Sequence, residues 1–138
     1  MDEPRVGLFV DGPNVFREEF DVDLDDVRER ARQKGCLAVH RLYLDDGAPP
    51  ELLRAAEACG FEVVVTSGDV DVKLAVDATE FVADGSLDTL VVVSRDTDFK
   101  PVVEAASRRG LRTVAIAPGS HGSSDALANA VHEAVTLE

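Results

Sequence analysis

The chain has 138 residues, room for one domain with its own core and too few for two. Hydrophobic residues make up 45% of it, aromatics only 5%, and tryptophan is absent, so the core has to be built from valine, leucine and alanine. That composition suits a buried parallel sheet. A net charge of −13, with lysine only at Lys34, Lys73 and Lys100, excludes a general cationic surface for nucleic acid, so any polyanion needs local help.

Aspartate outnumbers glutamate, a balance that with the sparse lysines resembles proteins of high-salt cytoplasm. At 1 M salt the Debye length is about 3 Å and such repulsion is largely screened. No apolar run approaches the roughly 18 residues of a membrane span, and Met1-Asp2-Glu3-Pro4 lacks a signal-peptide profile, so a soluble, cytoplasmic protein without membrane contact is expected. Cys36 and Cys59 stand far apart, with no Cys-x-x-Cys and no histidine pair nearby, which points to buried free thiols.

In chain order, Val6-Gly7-Leu8-Phe9-Val10 reads as a first strand. A helix follows from Asp23, capped by that side chain at the amide three residues on with Asp26 reaching back, and ends near Gly35. Residues 37–44 alternate in part, as a strand nearer the sheet edge does. Pro49-Pro50 opens a helix that Gly60 stops. The strand Phe61-Glu62-Val63-Val64-Val65 precedes a helix over residues 72–83, and Leu90-Val91-Val92-Val93 forms the next strand. A helix after Asp98 tolerates Pro101 in its first turn and ends at Gly110. Thr113-Val114-Ala115-Ile116 is the fifth strand, and a last helix begins at Ser123 or Ser124. Alternating strands and helices imply right-handed βαβ units, hence a three-layer α/β/α sandwich around a mostly parallel five-stranded sheet.

Carboxylates fall where such sheets do chemistry, at the C-terminal ends of strands. Asp11 ends the first strand, and Gly12-Pro13 turns Asn14 back toward the same rim; an Asx turn is the plain alternative. Asp96 and Asp98 follow the fourth strand two residues apart, able to face one cation; Asp98 can instead cap the next helix, whereas Asp96 has no capping role in view. Asp71 and Asp77 lie about 60° to either side of Leu74, beside a buried stripe with Ala78, Phe81 and Val82. Their alternatives are an N-cap for Asp71 and an ion pair with Lys73 for Asp77. Acids converging on one rim repel unless a cation neutralises them, and all-oxygen clusters suit Mg²⁺ or Mn²⁺.

The segments Phe9-Val10-Asp11-Gly12-Pro13-Asn14, Val70-Asp71-Val72-Lys73-Leu74-Ala75-Val76-Asp77-Ala78 and Val93-Ser94-Arg95-Asp96-Thr97-Asp98-Phe99 together resemble the NYN domain of the PIN-like nuclease superfamily, LabA-type branch. The resemblance covers the chain as a single domain, residues 1–138, and implies strand order 3-2-1-4-5 with a short extra strand allowed at the C-terminus. It implies a metal-dependent endoribonuclease in which Asp11, Asp71, Asp77, Asp96 and Asp98 contact Mg²⁺ or Mn²⁺ directly or through water and Asn14 orients substrate. Arg17, Lys73, Arg95 and Lys100 are candidates for phosphate, with solvated surface charge as their plain alternative, and His121 lies in a loop whose helix-start amides can bind an anion. Asp69 stands where the family leads one to expect a small or basic residue. The expected partner is single-stranded RNA, with a homodimer or an accessory RNA-binding partner as a source of missing cations. The rival from another class is a non-catalytic NYN-like module that binds RNA, nucleotide or protein. Other α/β folds fit worse: Pro13 occupies the second Asp of a haloacid-dehalogenase motif, no glutamate ends the first strand as in topoisomerase-primase folds, and Gly-x-Gly-x-x-Gly is absent.

Overall fold

The computed structural model describes residues 3–16, 22–118 and 125–137. Six strands form one sheet in the order β3-β2-β1-β4-β5-β6, and every pairing among the described residues is parallel. The strands are β1 (Arg5–Asp11), β2 (Cys36–Asp45), β3 (Glu62–Thr66), β4 (Thr89–Val93), β5 (Arg112–Pro118) and β6 (Glu133–Leu137). Between them run α1 (Gly12–Val15), α2 (Leu24–Arg32), α3 (Pro50–Ala58), α4 (Val70–Ala83), α5 (Lys100–Arg108) and α6 (Asp125–Ala130). Among the described residues, no helix is long and apolar enough to cross a membrane.

Each face of the sheet carries its own core. Val6, Leu8 and Val10 of β1 pack with Leu24, Val27 and Ala31 of α2 and Ala56 of α3 on one side. Phe9 and Val92 pack with Leu74, Ala78 and Val82 of α4 and Val103 and Ala106 of α5 on the other. Both faces of β1 and β4 are therefore apolar, which explains their unbroken hydrophobic runs. Sheet alternation gives Asp11, two residues past Phe9, the α4 side of the rim. Ser94, two residues past Val92, meets it there.

The sixth strand is the extra C-terminal strand, and it shortens the last helix to Asp125–Ala130. Its signal lies in Val131, Glu133, Val135 and Leu137, which alternate with more exposed neighbours at a period of two. The expected helix start at Ser123 or Ser124 lies outside the described residues, as do Arg17 and His121. Both cysteines are free thiols, but they are not buried as expected: Cys36 is exposed and Cys59 half-buried.

Two caps differ from expectation. Asp23 accepts from the amide of Asp25 at 2.9 Å, two residues on, and Asp26 pairs with Arg30 at 3.4 Å instead of reaching back. Aspartate is one methylene shorter than the glutamate a capping box uses. Further on, α4 begins at Val70, because Asp69 is extended and Val70 is buried in the core; Asp71 is thus inside the first turn and is not the cap.

Gly12 positions the first loop. A Cβ there would overlap Leu44 Cδ2 and lie 2.5 Å from the carbonyl oxygen of Tyr43, so α1 can sit on β2 only without a side chain. Gly12→Ala is expected to cost about 1–3 kcal/mol, the range for overpacking, and a urea melt reads it.

Candidate metal centre

Parallel strands β1 and β4 are neighbours, with α1 leaving one toward β2 and the chain after the other leading toward β5. This is the switch point, where a crevice opens beyond the strand ends. A cleft of about 320 Å³ opens there, lined by Asp11, Asn14, Asp45, Asp69, Asp71 and Asp96 among others. A larger cavity, about 590 Å³ between α5 and α6, has Glu104 as its one acid among the described residues, beside Lys100 and Arg108.

Carboxylate oxygens of Asp71, Asp96 and Asp98 lie within 4.8 Å of one another. Two oxygens on opposite sides of one Mg²⁺, each at about 2.1 Å, are about 4.2 Å apart. The spacing of the three is thus close to what a single ion spans. Among the described residues the donors are all carboxylate oxygens, without histidine or thiolate, a set that suits a hard cation better than zinc.

Asp11 backs the cluster from the end of β1 and is only 4% exposed. Burial, followed by the repulsion of Asp96 and Asp71, raises its carboxyl to about 6, against opposing hydrogen bonds from Ser94 and the Asn14 backbone. Ser94 Oγ donates to Asp11 Oδ2 at 3.2 Å and accepts from the Asp96 amide at 3.0 Å, tying the two strand ends together. Asn14 Oδ1 accepts from the Arg95 amide at 2.8 Å, a second tie between the same loops.

The structure corrects the roles assigned to the pair after β4. The chain tightens into a 3-10 turn at Thr97–Phe99, and Asp96 is its cap, accepting from the Asp98 amide at 2.9 Å. Asp98 does not cap α5, whose first residue follows that turn directly. Both carboxylates still reach the cluster.

Asp77 sits elsewhere. It is 9% exposed, its Oδ2 accepts from Tyr43 Oη at 2.8 Å and from Arg41 at 3.3 Å, and its Oδ1 pairs with Lys73 at 3.1 Å. Burial pushes the Tyr43 hydroxyl upward in pKa, so it remains a donor. The geometry therefore separates Asp77 from Asp71, Asp96 and Asp98 and occupies Lys73 with it. The network pins α4 to β2, which holds Asp71 over the rim. Tyr43→Phe is expected to lower stability by about 1–2 kcal/mol through the lost buried bond, measured as a shift in denaturation midpoint.

Asp45 also lines the cleft and was not singled out from sequence, although it ends β2 at the same rim as Asp11 ends β1. The same strand-end argument would have found it.

The sequence matches the family model described as NYN domain over residues 5–138. It is 42% identical over 127 residues to an uncharacterized protein, MJ0482, of Methanocaldococcus jannaschii. The match covers 92% of this chain and 52% of that protein, so the chain spans about half the length of this curated relative. Among solved structures, a protein of unknown function, VPA0982, from Vibrio parahaemolyticus superposes with a TM-score of 0.86 at 21% identity, over 99% of this chain and 94% of that one. That likeness establishes the fold. With the family model matching nearly end to end, the chain belongs to the NYN domain family.

Proposed function

We propose that this chain is a metal-dependent endoribonuclease that hydrolyses phosphodiester bonds of single-stranded RNA at the acidic cleft, with Mg²⁺ or Mn²⁺ as cofactor. The observation that carries the reading is the set of three carboxylates within 4.8 Å at the switch point of a NYN chain. Asp71, Asp96 and Asp98 would hold the cation, from α4 and from the turn after β4. Such a cation, when bound, polarises the phosphoryl group and offsets charge that develops in the transition state. Asp11 adds a buried negative charge behind the cluster, and Ser94 and Asn14 keep the two loops in register. Water attacking in line with the leaving oxygen gives a 5′-phosphate and a 3′-hydroxyl, with no protein nucleophile required.

The net charge of −13 favours a second reading, a non-catalytic NYN-like module, because the rim repels phosphate unless cations or salt intervene. Incubating the purified protein with Mn²⁺ or Mg²⁺ and single-stranded RNA across a salt series separates the two. Metal-dependent cleavage supports the nuclease. Intact Mn²⁺ binding without cleavage at any salt would leave the module.

A further inference from the structure

Next to the acid cleft, and sharing Pro13 and Asp45 with it, lies a second cavity of about 280 Å³. Phe16, Ala48, Pro49 and Leu52 line it. Phe16, Ala48 and Leu52 are partly buried against the core on the α2 and α3 side, which leaves each a face open to the cavity. Leu44 forms part of the lining as well, and the close seating of Gly12 on β2 brings Pro13 and Phe16 up to it.

The volume falls just under the roughly 300–1,000 Å³ of sites for drug-sized ligands, which suits one planar base and not a dinucleotide. Asp45, at the shared edge, is exposed; its Oδ1 accepts from the Gly47 amide at 2.9 Å. A carboxylate has further lone pairs, so Asp45 can also accept from an exocyclic amine of a base. Among the described residues the lining contains no cation to draw in a phosphate, and the adjoining cleft is ringed with acids. Aromatic stacking, by contrast, needs no charge complementarity and works with any base. It offers a chain of net charge −13 a source of RNA affinity that salt and repulsion do not remove.

We propose that this cavity is a nucleobase subsite, which seats an unpaired base adjacent to the scissile phosphate against Phe16 and prefers an amino-bearing base, cytosine or adenine, through Asp45. The assignment to a base beside a scissile phosphate rests on the ribonuclease reading; base binding itself does not.

The test uses uncharged nucleosides, which need neither metal nor cleavage. In methyl-labelled protein, cytidine is expected to shift the Leu44 and Leu52 methyl resonances, while ribose leaves them in place. Phe16→Leu keeps an apolar contact with the core but removes the aromatic face, and should weaken cytidine binding about fivefold or more. Uridine should bind more weakly than cytidine, and Asp45→Asn should erase that difference. No methyl shift at about 50 mM cytidine, shifts confined to another surface, or unchanged affinity in a folded Phe16→Leu protein would each overturn the subsite. A protein that binds cytidine here yet cleaves no RNA refutes the nuclease and keeps the base subsite; one that cleaves RNA without these shifts does the reverse.

Discussion

Asp96→Asn is expected to reduce Mn²⁺-dependent cleavage of single-stranded RNA by about 100-fold or more, on the scale of disturbing a metal's ligand shell, while the protein stays folded. Asp96 has two separable jobs. Its carboxylate is one of the three that approach within 4.8 Å, and its Oδ1 accepts from the Asp98 amide. Asparagine keeps an oxygen for the amide but removes the negative charge that the cation needs. Asp96→Ala removes both, and should cost about 1 kcal/mol of stability on top of activity, as cap removals do. Single-turnover cleavage assays and thermal melts of the two variants distinguish the roles. Near wild-type cleavage by Asp96→Asn would place the chemistry elsewhere.

Asp11→Asn is expected to stabilise the metal-free protein while weakening metal binding. The carboxyl of Asp11 is raised from 3.8 to about 6 by burial and by Asp96 and Asp71, so folding disfavours its ionised form. The resulting penalty is full above pH 6, shrinks as pH falls through the folded value, and is gone below the unfolded one near 4. A gap of this size corresponds to about 3 kcal/mol at neutral pH. Seating the new amide offsets part of it, so a net gain on the order of 1–2 kcal/mol at pH 8 is expected, fading to nothing or a small loss at pH 4.5. Urea unfolding in EDTA at the two pH values measures it. A variant less stable than wild type at pH 8 would mean that the buried charge is already compensated within the fold.

These two residues also show how far sequence carries. Asp11 and Asp96 were legible because one ends and the other lies three residues past an apolar strand buried on both faces, and strand ends in parallel sheets converge by topology. Asp71 was legible from helix periodicity, whose error of two residues at the start of α4 left its face unchanged. Periodicity could not separate Asp77 from Asp71, because it does not show that Tyr43, 34 residues away, points a hydroxyl at Asp77. The capping role of Asp96 was hidden for a similar reason: a 3-10 turn has no apolar repeat of its own. The sixth strand, allowed by the family resemblance as a short C-terminal addition, is also legible in the alternation of residues 131–137, where a period of two replaces the helical one.

The rim of β1 and β4 gathers the carboxylates that we propose hold a divalent cation. Crystals soaked in Mn²⁺ and measured at its absorption edge test this directly. An anomalous peak is expected at about 2.0–2.3 Å from carboxylate oxygens of Asp71, Asp96 and Asp98, in front of Asp11. A peak at another surface, or none at millimolar Mn²⁺ with the cleft open to solvent, would contradict it.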